Sequence, residues 1–196
     1  MPRKKLIYTH QYPYHVMARS NNKEWFYLEK SIVWKIFKTQ LIQAVERHRL
    51  KIHAFVLMGN HYHMIVSTHP DYNLGIVMQA LQRSVSRMIN SESKRINHVF
   101  GGPYKASVIT NERYYYHVYK YVLRNPVDAG ITKDCFSYEY STLTNHFELP
   151  IVRPDNGIDA LVPYEAIKDW LHEGYEVERA SIGRGLSRTV FKYVLE

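Results

Sequence analysis

Two histidines in the segment Gly59-Asn60-His61-Tyr62-His63 are the side chains of this chain best suited to chemistry. They lie in an apolar run that predicts a strand, turn and strand, and alternate residues of a strand share a face. His61 and His63 should therefore point to the same side of a sheet, about 7 Å apart along the strand. Two imidazoles so placed can bind one metal ion. The alternative is a pair of partly buried structural histidines, because this spacing alone is weakly specific.

A tyrosine-rich segment further along the chain supplies a possible nucleophile. Five tyrosines fall between residues 114 and 121, and the residues around them predict a helix from about Glu112 to Arg124. Pro126 should end this helix, because proline has no amide N–H and restricts the residue before it.

Tyr121 and Asn125 are four residues apart and should lie near one face of that helix. A phenol, an amide oxygen and two imidazoles could then converge on one point, as the attack of a tyrosine on a metal-activated phosphate requires. For the other four tyrosines, packing of an amphipathic helix is the favoured interpretation.

The elements that would position these groups follow the order β-α-β-β-α-β-α. This order predicts an α+β fold, a ferredoxin-like split β-α-β antiparallel sheet with helices on one face. The run Phe55–Met58 is continuously apolar, which indicates a strand covered on both faces. We therefore expect the tyrosine helix to cover part of the second face and to meet His61 and His63. The predicted strands are 12–21, 51–58, 61–68 and 104–110, and the helices before the tyrosine helix are 31–49 and 73–93.

Charge is unevenly distributed along the 196 residues. Residues 1–150 contain 20 Lys and Arg against 10 Asp and Glu, whereas residues 151–196 contain 6 against 8, which together give the net charge of +8. A basic domain is typical of nucleic-acid binders, and the many tyrosines favour such binding because aromatic rings stack on unpaired bases. The alternative is a basic surface that serves only solubility. The single cysteine, Cys135, excludes an internal disulfide framework, and no apolar stretch is long enough to span a membrane. A cytoplasmic protein is expected.

The predicted domain boundary lies near residue 150. Residues 1–149 should form the main domain, and residues 150–196 a partly helical C-terminal extension that follows a Pro- and Gly-containing linker at 145–157. Arg179, Arg184 and Arg188 of this extension either contact phosphate or belong to a packing tail.

Four motifs together resemble the HUH single-tyrosine transposases and, among them, the REP-associated tyrosine transposases. The resemblance covers about residues 8–135. Its motifs are His61-Tyr62-His63, the helix segment Tyr121-Val122-Leu123-Arg124-Asn125-Pro126-Val127, the first strand and loop Tyr14–Lys23, and the strand segment Tyr104-Lys105-Ala106-Ser107.

The resemblance implies a metal-dependent endonuclease and strand transferase that acts on hairpin-forming, single-stranded DNA through a covalent 5′-phosphotyrosine. Tyr121 would be the catalytic nucleophile. His61, His63 and the side-chain oxygen of Asn125 would bind Mg²⁺ or Mn²⁺. The protein would be a monomer or a homodimer and would have no membrane partner.

Basic side chains near these elements are the expected contacts to the DNA backbone. The candidates are Arg83, Arg87, Lys105 and Arg124. Two other functions stay open: a non-catalytic, ferredoxin-like module that binds single-stranded nucleic acid, and a metal-dependent hydrolase that uses water as its nucleophile.

Overall fold

A single antiparallel sheet organises the chain, and its strands follow the order β2-β3-β1-β4. The computed structural model describes residues 6–144, 164–175 and 177–192. This α+β architecture is the predicted ferredoxin-like sheet. The strands are β1 (Tyr14–Arg19), β2 (Lys51–Leu57), β3 (His61–Ser67) and β4 (Lys105–Val108), and the helices are α1 (Lys30–His48), α2 (Leu74–Ser93), α3 (Glu112–Asp128), α4 (Tyr164–His172) and α5 (Arg179–Leu186).

The first face of the sheet is covered by α1 and α2, which pack against each other. Aromatic rings fill the space beneath them: the ring centroid of Phe37 lies 5.5 Å from that of Phe55 and 5.2 Å from that of Tyr62. Asn73 caps the start of helix α2, and its side chain accepts a hydrogen bond of 3.0 Å from the amide of Ile76. This core fixes which residues of β1 and β3 point to the opposite face.

The second face of the sheet is covered by α3, with α4 and α5 packed behind it. Val56 and Ile65 of the sheet are fully buried here, in one cluster with Val118 and Val122 of α3. The predicted burial of the sheet on both faces is confirmed. The tyrosine helix therefore lies over the face that carries His61 and His63.

Helix α3 runs through Pro126 to Asp128, so the predicted end near Arg124 is wrong. The helix is terminated at Gly130, whose φ of 68° is left-handed. Its amide donates to the carbonyl of Val127, and the amide of Ile131 donates to that of Pro126, each at 2.9 Å. These two bonds form a Schellman motif, in which glycine is the favoured residue at the left-handed position. Proline in the last turn removes only one helical hydrogen bond and leaves this termination intact.

Both edges of the sheet are covered by chain that follows α3. At the β2 edge, the amide of Thr142 donates to the carbonyl of Phe55 at 2.9 Å. At the β4 edge, the amide of Phe191 donates to the carbonyl of Val108 at 2.8 Å. The described part of the C-terminal extension is thus anchored to the sheet and to α3, while the predicted linker at 145–157 lies outside the described residues. No helix within the described ranges is long and apolar enough to cross a membrane.

Candidate active site

The two histidines of β3 lie on the second face, as their spacing predicts. Tyr62 and Met64 point into the first-face core, while the rings of His61 and His63 lie together on the other side with centroids 5.1 Å apart. His63 is almost fully buried and His61 is partly exposed. One ring is thus held in the protein interior and the other borders solvent.

A third histidine, His15 of β1, belongs to the same group and was not predicted as a site residue. Its Nε2 lies 2.9 Å from Nδ1 of His63, and the two rings stack with centroids 5.1 Å apart. The signal was the alternation of β1: Tyr14 and Val16 are fully buried in the first-face core, so His15 must face the other way. What the sequence alone could not supply was the pairing of β1 with β3.

Asn60, at the turn before β3, fixes the orientation of His61. The side-chain oxygen of Asn60 lies 2.7 Å from Nδ1 of His61, and its Nδ2 donates to the carbonyl of Lys23 at 2.7 Å. Since the amide oxygen can only accept, Nδ1 of His61 carries the proton and its Nε2 keeps a lone pair. A histidine ligand is usually oriented by a second hydrogen bond of this kind.

Burial keeps all three imidazoles neutral at neutral pH. It lowers the pKa of His15 to about 3 and, with a smaller effect from the charge of Arg19, that of His61 to about 4. The pKa of His63 lies well below its ordinary value, chiefly because the ring is buried and also because other histidines and two arginines surround it. Neutral imidazoles are the form that binds metal ions.

Tyr121 of α3 meets the histidines edge-on. Its ring centroid lies 5.8 Å from that of His63 and 6.3 Å from that of His15. The structure therefore brings the predicted nucleophile and the predicted metal-binding histidines together within one chain. Burial raises the pKa of the Tyr121 phenol, and the charge of Arg179 acts in the opposite direction.

The remaining tyrosines of α3 take part in aromatic packing, as expected. Tyr115 stacks on Tyr119 with centroids 5.8 Å apart, and Tyr114 packs edge-on against Phe191 at 5.1 Å. Tyr116 lies edge-on to Trp170 of α4. None of these contacts involves His61 or His63, which distinguishes Tyr121 from its neighbours.

Asn125 lies inside α3 rather than at its end, and it is 4% exposed. Its Nδ2 donates to the backbone carbonyl of Tyr121 at 2.7 Å, which orients the amide and leaves Oδ1 as an acceptor. Across the ranges that the structure describes, no group of three or more His, Cys, Asp or Glu side chains is arranged to hold a metal ion. A metal site built on His61 and His63 would therefore have no third ligand of these four residue types among the described residues.

Two comparisons relate this arrangement to known proteins. The family model described as "Transposase IS200 like" matches residues 8–125, which is more than half of the chain. This chain belongs to the IS200-like transposase family. Membership makes it a DNA-processing enzyme of the transposase and endonuclease class, one that depends on a metal ion. No curated protein matches the sequence of this IS200-like transposase.

The chain was also compared with solved structures. A REP-associated tyrosine transposase bound to a REP hairpin is similar with a TM-score of 0.65 and 16% identity, over 74% of this chain and 84% of that one. A protein of Deinococcus radiodurans R1, described as a candidate transposase, has a TM-score of 0.43 and 14% identity over 62% of this chain and 94% of that one. The first similarity confirms the predicted α+β fold.

The four predicted DNA contacts of the IS200-like transposase lie in three different places. Lys105 is exposed on the histidine face and, with Arg19 and Lys23, lines an open cavity of about 570 Å³. Arg83 and Arg87 are exposed on α2, which covers the opposite face of the sheet, so the structure does not bring them to the histidines.

Arg124, the fourth predicted contact, is held in intramolecular bonds. Its guanidinium donates to the carbonyl of Leu171 and pairs with Asp128 at 3.5 Å, and the side chain is 15% exposed. The bond to Leu171 joins α3 to α4, so Arg124 has a packing role within the chain.

Proposed function

We propose that this transposase cleaves and rejoins single-stranded DNA beside a hairpin, and that Tyr121 becomes covalently attached to the 5′ phosphate. The observation that carries the proposal is the approach of the Tyr121 ring to within 5.8 Å of the His63 ring, with the guanidinium of Arg179 over its face at 5.2 Å. A nucleophile, neutral metal-binding side chains and a cation thus surround one space. A water-using hydrolase would leave this tyrosine without a role.

His61, His63 and Oδ1 of Asn125 are the proposed ligands of a divalent ion, Mg²⁺ or Mn²⁺. The tautomer of His61, fixed by Asn60, and the neutral state of both rings fit this role. For His63 the matching tautomer has the proton on Nδ1, donated to Nε2 of His15. When bound, the ion would draw negative charge from the scissile phosphate.

In the covalent step, the Tyr121 oxygen forms a bond to phosphorus and the bond from phosphorus to the O3′ of the preceding nucleotide breaks. The phenol loses its proton to solvent, and O3′ takes up a proton and leaves as a 3′-hydroxyl. The phosphodiester is exchanged for a phosphotyrosine ester, so a 3′-hydroxyl can later reverse the step and join strands. Because burial raises the pKa of Tyr121, the phenol depends on the positive charge beside it.

The unpaired strand is proposed to enter through the cavity lined by Arg19, Lys23 and Lys105. Residue pairing supports this path: Arg19 is the cross-strand partner of His61, and Lys105 is paired with Met17, which is itself paired with His63. Paired residues share a face, so these cations border the histidines. Arg83 and Arg87, on the opposite side, are retained as proposed contacts for the duplex stem.

Residues 1–149 are the proposed nuclease domain, with residues 150–196 as its extension. Tyr121 meets the histidines of its own chain, so a monomer can form the site without exchanging α3 with a partner. We propose that it acts in the cytoplasm, where DNA is available to it.

A denaturing gel tests this function. Wild-type protein is incubated with Mn²⁺ and a labelled DNA hairpin that has single-stranded flanks, and a label that migrates with the denatured protein is expected. Formation of this adduct supports the tyrosine nuclease. Cleaved DNA without an adduct would instead indicate a hydrolase, and binding with no cleavage would indicate a non-catalytic module.

A further inference from the structure

Arg179, the first residue of α5, lies beyond the segment matched by the family model and yet reaches the nucleophile. We propose that Arg179 is a catalytic residue that donates hydrogen bonds to the non-bridging oxygens of the scissile phosphate during attack by Tyr121. The C-terminal extension would then complete the active site. This inference rests on the proposed function.

The position of α5 over Tyr121 supports this role. Cζ of Arg179 lies 5.2 Å from the centre of the Tyr121 ring. Gly183 lies one turn later on the same face, and a Cβ atom there would be 3.8 Å from the Tyr121 hydroxyl. One face of α5 therefore covers the tyrosine from its ring to its reactive oxygen.

Asp128 holds Arg179 in place by one edge of the guanidinium. Nε of Arg179 donates to Oδ2 of Asp128 at 2.7 Å, and the same oxygen accepts a bond of 2.5 Å from the hydroxyl of Tyr175. The Asp128 side chain is 9% exposed, whereas that of Arg179 is 42% exposed. The edge that carries the terminal nitrogens is thus open to a ligand, and a planar guanidinium matches the geometry of phosphate.

Arg179 and His63 both lie against the Tyr121 ring. Cζ of Arg179 is 5.2 Å from the ring centre, and the centroid of the His63 ring is 5.8 Å from it. A phosphate positioned between Tyr121 and His63 would lie within reach of this cation.

Neighbouring arginines do not share this placement. The guanidinium of Arg124 donates to the carbonyl of Leu171 and forms an ion pair with Asp128. Arg184 is rotated by about 100° from Gly183 on α5, and its guanidinium bonds to Ser181 at 2.7 Å and Glu178 at 3.5 Å. Arg184 is therefore a matched control that carries the same charge on the same helix.

The test measures single-turnover adduct formation at saturating hairpin DNA, after the cleaved phosphate has been mapped with wild-type protein. Arg179→Gln should slow the reaction about 100-fold, the usual effect of removing one donor to a transition-state oxyanion. Arg179→Lys should retain part of the rate, because it keeps a cation beside Asp128. Arg184→Gln should react as the wild type does.

A neutral methylphosphonate at the mapped position separates phosphate contact from a structural role. If Arg179 binds the charged oxygens, the 100-fold difference between wild type and Arg179→Gln should shrink to a few-fold on this substrate. An undiminished difference would show that Arg179 only holds α5 in place and would overturn the inference.

The two proposals fail in different ways. Wild-type protein that forms no adduct would refute the proposed function and this inference with it. A normal wild-type adduct together with an unimpaired Arg179→Gln variant would refute the inference alone.

Discussion

Replacing Asp128 with asparagine should destabilise the protein by about 3 kcal/mol, because it removes the charge that joins α3 to the C-terminal extension. The carboxylate lies 3.5 Å from Arg124, which is 15% exposed, and 2.7 Å from Arg179, which is 42% exposed. Removing one partner of a buried ion pair costs about 3–5 kcal/mol. The lower end applies, because Arg179 can turn toward solvent and asparagine can still accept from Tyr175.

Urea denaturation of wild type and Asp128→Asn measures this difference, and the melting temperature should fall by about 6–12 °C for a chain of this size. Asp134→Asn is the matched control. Asp134 pairs with His172 at 3.1 Å, both side chains are more than a third exposed, and asparagine preserves its cap on Phe136. That change should cost less than about 1 kcal/mol. Equal small losses for both variants would refute the anchoring role of Asp128.

Three further results are expected. His63→Ala should abolish Mn²⁺-dependent cleavage while changing DNA affinity little. The control His53→Ala changes a similarly buried histidine, which is bonded to Ser67 outside the site, and this variant should still cleave. Cleavage by His63→Ala at the wild-type rate would exclude the metal assignment. DNA affinity should fall steeply with salt, and a hairpin with single-stranded flanks should bind more tightly than blunt duplex, so equal affinities would contradict the single-strand path. Burial lowers the pKa of His15 to about 3 and that of His61 to about 4, so below about pH 6.5 the unfolded chain binds protons that the folded chain does not. The free energy of unfolding should therefore decline by about 1.4 kcal/mol per pH unit for each histidine until its folded pKa is reached. Urea titrations between pH 7.5 and pH 5 measure this slope, and a His15→Gln variant with an unchanged slope would contradict this cause.

Local periodicity was sufficient to predict most of the fold. The two-residue alternation of β3 put His61 and His63 on one face, and the continuous apolar run of β2 indicated a helix on each side of the sheet. The end of α3 was predicted wrongly, because Pro126 is a strong local signal whereas the termination depends on backbone bonds made by Gly130 and Ile131.

The parts of the site that escaped prediction depend on contacts between distant segments. His15 and His63 are 48 residues apart, and Arg179 and Asp128 are 51 apart. A lone histidine in β1 carries no spacing signal of its own. For Arg179 the sequence left two interpretations open, phosphate contact or a packing tail, and gave no indication of its approach to Tyr121. Their roles become visible only when strand pairing and the docking of α5 bring them to Tyr121.

Mapping the DNA attachment site by mass spectrometry tests the central claim most directly. A labelled hairpin adduct is digested, and the nucleotide-bearing residue should be Tyr121. Tyr121→Phe should fold and bind DNA but form no adduct, since the change removes one oxygen and keeps the ring against His63. Tyr115→Phe and Tyr119→Phe should leave the adduct unchanged. A denaturation-resistant adduct on Tyr121→Phe, or one mapped to another residue in the wild type, would contradict the account.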